Sequence, residues 1–382
     1  MLTIGIVANE ASGDLLAGAV VRELKALSPG VRFLGVAGPH MLAAGCETLV
    51  DMERLSVMGL TEVLGHLREL LGIRRMLARH FLADRPDVFV GVDAPDFNLA
   101  LERRLRSAGI PTVHLVSPTV WAWRPGRVKV IRRSLDLLLC IFPFEEDFLR
   151  GHGVPARYVG HPLADEIPLQ PDQGGARASL GLLAQGPILA ILPGSRVGEV
   201  EALAGPFVQA ALRCFRERPE LRFVAPLVNA RLQRLFEAIL AREAPELPIT
   251  LFEGRSREVL AAADLVLTAS GTATLEGLLL KRPMVVGYRV HPLTYQLVTQ
   301  LRLVKVPYVA MANLLVGRAL APEFLQGRCR PDLLAPALLA FLDDPARVAQ
   351  VQAEYLRVHE SMRHNAARAA ALAILELVRG AQ

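Results

Sequence analysis

The sequence predicts an α/β protein of two doubly wound, Rossmann-like domains facing across a cleft. Predominantly apolar runs at residues 2–8, 88–93 and 188–192 alternate with helix-periodic segments, the pattern of parallel strands covered on both faces. The stretch Ile167-Pro168-Leu169-Gln170-Pro171-Asp172-Gln173-Gly174-Gly175 breaks this alternation and restarts it. The 382 residues, 52% hydrophobic and 21% charged, are enough for two buried cores.

In the first half, residues 2–8, 31–36, 88–93 and 112–116 read as strands. Residues 15–27 and about 98–107 carry helical spacing between them. In the second half, strands are expected at 188–192, 222–226, 249–251, 265–268 and 284–287, and the chain from Asp332 onward reads as helical. The expected division is a first domain over 1–165, a linker over 166–175 and a second domain over 176–345. Helices from about 346–382 then pack back on the first domain or on a partner subunit.

Composition narrows the function. The N-terminal apolar run has no basic leader and an acid soon after it, so it reads as a buried strand and not as a signal peptide. No apolar stretch reaches membrane-spanning length, which points to the cytoplasm. Cys46, Cys140, Cys214 and Cys329 are far apart and unpaired in spacing, against both a disulfide framework and a zinc site. A net charge of +5 without basic–aromatic runs argues against nucleic acid and suits an anionic ligand or lipid surface.

Ligands of open α/β sheets bind at the C-terminal ends of the strands, so the residues there carry the chemistry. The first half places Glu10, Ser12, Asp14, Asp93 and Asp96 at such ends. Glu10 and Ser12, like Asp96 and Asn98, are equally able to cap helices. Asp93 precedes the helix start and is the better candidate for a reacting carboxylate. Trp121 and Trp123 follow another strand, as core or as a platform for a sugar or an acyl chain. The second half has Gly194-Ser195-Arg196 and Ser270-Gly271-Thr272 at strand ends. Small residues before a helix leave amides free for an anion, and Arg196 adds a bidentate cation. Carboxylates repel a diphosphate, so the diphosphate belongs to the second half and a base to the first. That division fits glycosyl transfer with a departing nucleoside diphosphate. No metal-clamping pair of acids stands out, which leaves the charge to arginine and helix N-termini.

The set Glu10-Ala11-Ser12-Gly13-Asp14, Gly91 to Asn98, Val116 to Trp123, Phe142-Pro143-Phe144-Glu145, Gly160-His161-Pro162, Leu192 to Arg196, Ala269 to Glu276 and Val285 to Arg289 resembles the lipid-A-disaccharide synthase family, in order and along nearly the whole chain. The resemblance implies a GT-B fold and an inverting, metal-independent transferase without cofactor. It implies UDP-2,3-diacylglucosamine as donor and 2,3-diacylglucosamine 1-phosphate (lipid X) as acceptor. It also implies work at the inner face of the inner membrane and a homodimer in some members. Asn9 stands where the family has glycine, and Ala312 where it has proline.

On this reading Asp93 is the general base with Asp96 in reserve, and Arg196 neutralises the diphosphate. Ser195, Ser270, Gly271 and Thr272 bind it, Glu276 either holds ribose hydroxyls or is a solvated helix acid, and Asn313 either touches donor or acceptor or is a plain turn residue. Glu10 and Ser12 line the acceptor side. His161 serves a hinge or the chemistry. Val63, Leu64, Leu67, Leu70 and Leu71 follow helical spacing beside Arg68, Arg74, Arg75 and Arg79, either as a core helix or as a helix lying on an anionic membrane. Other classes fit less well. Another UDP-sugar enzyme of the fold needs no acyl surface, a two-domain anion-binding protein needs no carboxylates, and a dehydrogenase needs a Gly-x-Gly-x-x-Gly turn after the first strand that this chain lacks.

Overall fold

The computed structural model describes residues 1–55, 60–122, 125–290 and 306–381, with backbone alone at 60–65, 125 and 381. The chain divides into two compact units, Met1–Asp165 with Met362–Gln382, and Glu166–Ser361.

The first unit holds a parallel sheet of β1 (Thr3–Ala8), β2 (Arg32–Ala37), β3 (Glu47–Asp51), β4 (Val88–Val92), β5 (Thr112–Leu115), β6 (Leu137–Cys140) and β7 (Ala156–Tyr158) in the order β3-β2-β1-β4-β5-β6-β7. Every pairing is parallel. β1, β4 and β5 carry buried side chains almost throughout, because helices cover both faces. The order reverses between β1 and β4, which opens a crevice at their C-terminal ends.

The second unit repeats the plan with β8 (Ile188–Leu192), β9 (Arg222–Leu227), β10 (Ile249–Glu253), β11 (Leu265–Ala269), β12 (Met284–Tyr288) and β13 (Glu323–Leu325), ordered β10-β9-β8-β11-β12-β13. Its reversal lies between β8 and β11, whose pairing is parallel. Both sheets thus match the predicted doubly wound class.

Two boundaries differ from expectation. Helix Pro95–Ser107 begins three residues early, since Pro95 supplies the fixed φ of a first helical turn. Residues 166–175 lie in the second unit and run into helix Gln173–Ser179. Asp264 accepts from Gln173 Nε2 at 3.0 Å and from Arg177 at 2.7 Å, which ties this segment to β11.

Helix Pro345–Met362 falls almost wholly in the second unit, whereas helix Ala366–Ala381 returns to the first. Ala370, Ala371, Ile374, Leu375 and Val378 join the core formed by Val20, Val21 and Leu24. Asp165 caps the returning helix, accepting from the Asn365 and Ala366 amides at 2.9 and 2.6 Å. Gly160 (φ +92°) leaves room for His364, because a Cβ there would lie 2.6 Å from that side chain.

Candidate active site

At the first unit's switch point, β4 ends in two non-glycine residues with left-handed backbone, Asp93 (φ 51°) and Ala94 (φ 42°). Val116 at the end of β5 has φ 79°, unusual for a β-branched residue. Each such residue costs about 1–3 kcal/mol, and such strain concentrates at functional sites. Asp93 Oδ1 accepts from the Ala94 amide at 2.8 Å, and the Asp93 amide donates to Leu115 O at 2.9 Å. Asp93 is half-buried at the crevice.

The other first-unit acids separate. Asp96, the reserve, pairs with Arg127 at 2.5 Å while its side chain stays 88% exposed. Neither Asp96 nor Asn98 caps the helix through its side chain. Asp14 corrects the expectation of a crevice acid. It is fully buried and accepts from the amides of Gly38, His40 and Met41 at 2.8–3.0 Å. Glu10 and Ser12 are exposed at the start of helix Ala11–Leu27, where Glu10 makes no side-chain cap.

Asn9, Glu10, Asp96 and Phe97 border a cavity of about 320 Å³ whose far wall is Leu67, Leu70 and Leu71 of helix Leu60–Asp84. Leu67 is exposed, Leu70 and Leu71 are half-buried, and Arg68, Arg75 and Arg79 are exposed on the same helix. Val63 and Leu64 lie outside the described side chains.

Trp121 is half-buried, donates to Glu145 Oε1 at 2.9 Å and meets Phe144 edge-on at 4.8 Å. Burial pushes the Glu145 carboxyl up to about 7, against the hydrogen bonds of Phe142 and Trp121 that favour its charge. Trp123 lies outside the described residues. His161 is buried, accepts from the Leu163 amide at 3.1 Å and gives its own amide to Met362 O, so it fixes the chain return.

The second unit holds a cavity of about 460 Å³ at the ends of β8, β9 and β11. Ser195, Arg196, Ser270, Gly271, Thr272 and Glu276 all line it. Arg196 is the N-cap residue of helix Val197–Glu217, its side chain 83% exposed. The Ser195 and Arg196 amides of this turn are already taken, however. Glu199 Oε2 accepts from Ser195 N at 2.9 Å and Arg196 N at 3.3 Å. The other helix start on the cavity is that of Thr272–Leu279, which follows Gly271 (φ 147°) with Gly271 and Thr272 exposed. Thr274 N already donates to Gly271 O at 3.0 Å, while the two amides before it have no acceptor within the helix and sit at the positive end of its dipole. Ser270 Oγ donates to Val309 O at 2.8 Å, which turns its proton away from a ligand.

Glu276 lines the cavity wall one turn in. Burial raises its pKa, while Arg257 at 3.6 Å opposes the shift. Asn313 does not face the cavity. It is fully buried, with Nδ2 on Ala321 O and Glu323 Oε1 and with Oδ1 accepting from the Leu320 and Ala321 amides. Its neighbour Ala312 is buried in the same turn. Glu323 in turn accepts from the amides of Val309 and Ala310, and Met311 N donates to Thr274 Oγ1. Asn313 therefore supports the loop that packs against the start of helix Thr272–Leu279. Sequence alone assigned no role to Glu199, Glu145 or Glu323. Glu199 and Glu145 close capping boxes three residues after the N-caps of their own helices, a local spacing that could have been read. Glu323 instead holds amides 13 and 14 residues away, which no local spacing signals.

The family of lipid-A-disaccharide synthetases matches residues 4–377. A lipid-A-disaccharide synthase of Pseudomonas aeruginosa is 52% identical over 378 residues, covering 99% of this chain and 98% of the relative. Among solved structures, a UDP-GlcNAc 2-epimerase from Neisseria meningitidis bound to UDP-GlcNAc shares the fold at TM-score 0.64 and 12% identity, covering 100% of both chains. The calicheamicin glycosyltransferase CalG4 shares it at TM-score 0.60 and 17% identity, covering 100% of this chain and 98% of that one. Together with the paired doubly wound units, these likenesses place the fold in the GT-B class, and the chain belongs to the lipid-A-disaccharide synthase family.

Proposed function

We propose that the protein condenses UDP-2,3-diacylglucosamine with 2,3-diacylglucosamine 1-phosphate to give the β-1,6-linked disaccharide 1-phosphate and UDP. The observation that carries this reading is the second-unit cavity, where Arg196 and the start of helix Thr272–Leu279 meet at the β8/β11 reversal. A cation and helix amides stabilise a leaving diphosphate without further charge. In this reading Asp93 removes the acceptor hydroxyl proton as the oxygen attacks the anomeric carbon. The bond from that carbon to the β-phosphate oxygen breaks, and UDP leaves with its electron pair. Glu276 is the candidate for the ribose hydroxyls, and Glu10 belongs to the acceptor side. The leucine wall of the 320 Å³ cavity suits an acyl chain.

Charge balance by Arg196 and helix dipole predicts a reaction that needs no metal and no cofactor. The exposed arginines and leucines of helix Leu60–Asp84 suit peripheral attachment to an anionic inner-membrane face. A homodimer is part of the same reading. The test is one assay of UDP release from the two lipids by the purified protein. Turnover should persist in EDTA. Asp93→Asn should lose at least about 100-fold in kcat with UDP affinity intact. Absence of UDP release from these lipids would overturn the reading, and normal turnover in Asp93→Asn would overturn the base.

A further inference from the structure

We infer that Asn98 is a positioning residue that sets the backbone of Asp93, anchored from below by a buried Glu102–His114 pair. The inference rests on the reading of Asp93 as the base.

Three polar side chains, Asn98, Glu102 and His114, are fully buried beneath the ends of β4 and β5. Asn98 and Glu102 lie one turn apart on helix Pro95–Ser107, so both point at the sheet. One amide group does the clamping. Asn98 Nδ2 donates to Asp93 O at 2.9 Å and to Val92 O at 3.2 Å. Those carbonyls belong to the two peptide planes on either side of the Asp93 Cα. Fixing both planes fixes φ and ψ of Asp93, and with them the direction in which its carboxylate leaves the chain. The third contact, to Asn9 Oδ1 at 3.4 Å, links the clamp to the end of β1.

The lower pair holds the clamp in place. Glu102 Oε1 meets His114 Nδ1 at 2.6 Å, which joins the helix to β5. Gly91 lets this cluster press directly on β4, since a Cβ there would lie 2.1 Å from Glu102 Oε1 and 3.0 Å from Asn98 Cβ. Asn98 Oδ1, Glu102 Oε2 and His114 Nε2 are buried without a hydrogen-bond partner among the described residues. A cluster chosen for stability alone would be apolar there, because unsatisfied buried groups cost free energy. Its retention under a left-handed aspartate is explained by the conformation it imposes.

The experiment compares Asn98→Ala, Asp93→Asn and the double variant with the full chain, the UDP-linked lipid donor and the lipid acceptor. Asn98→Ala should lower kcat about 30–100-fold, the scale of a misplaced catalytic group, while UDP affinity and donor KM stay within about 2-fold. The double variant should be no slower than Asp93→Asn, because a positioning residue has nothing left to position. A purely structural role would instead lower every rate in proportion to folded protein. If Asn98→Ala fails to fold, Asn98→Ser, which keeps one donor, carries the same cycle with a smaller loss. A kcat within about 3-fold of the parent, or full additivity with Asp93→Asn, overturns the inference. Normal turnover in Asp93→Asn overturns the base reading itself, so the two failures are distinct.

Discussion

Burial decides what His161 does. It pulls the imidazole from 6.5 down to about 4, so the folded chain refuses a proton that the unfolded chain accepts. Stability tied to His161 is full above pH 6.5 and is lost as the pH falls through 4. Glu145 has the opposite sign: its carboxyl is raised to about 7, so its contribution is full below pH 4.5 and lost as the pH rises through 7. His161→Asn keeps an acceptor for the Leu163 amide and removes only the first slope. Relative to the parent it should gain about 2–3 kcal/mol between pH 7 and pH 4.5, measured as urea midpoints. An unchanged difference across that range would show that the imidazole is not held neutral by burial. At this scale the sequence was legible where a residue's place at a strand end decides its position, as with Asp93 after β4 and Arg196 on the second-unit cavity. It was not legible where long-range packing decides. Asp14 and Asn313 read as crevice residues, yet both turn inward to satisfy amides.

The elements that matter are the two helices that open at the second unit's reversal. Helix Val197–Glu217 depends on Gly194 at φ 123°, where a Cβ would lie 2.5 Å from Glu199 Cβ and Oε2. Gly194→Ala should push Glu199 off the Ser195 and Arg196 amides and misdirect the guanidinium. UDP affinity should fall about 10-fold by titration calorimetry, with far-ultraviolet circular dichroism unchanged. Unaltered affinity would show that the turn does not orient Arg196. Strand-to-helix punctuation made both turns visible in the sequence. The short strands Glu47–Asp51, Ala156–Tyr158 and Glu323–Leu325 were not, because three to five residues of mixed polarity carry no period. Leu137–Cys140 was missed for its length, though it is wholly apolar.

For the whole molecule, the returning helix Ala366–Ala381 makes the first unit discontinuous in sequence. The sequence left its destination open, since an apolar helical face states that it is covered and not by what. Ile374 is fully buried in the first unit's core. Ile374→Ala should destabilise that unit by about 2–5 kcal/mol, seen as an earlier first transition in urea. UDP affinity, which the proposed function assigns to the second unit, should stay within about 2-fold. A loss of UDP binding at native conditions would show that the units do not hold their ligands independently.

The same return sets an order of events on the ribosome. Residues 166–361 emerge as one continuous stretch and can finish folding while the first unit still lacks its last helix. Until residues 366–381 leave the exit tunnel, the groove of Val20, Val21 and Leu24 stays wet and open to chaperones. The earliest-made part of the protein is therefore among the last to become native.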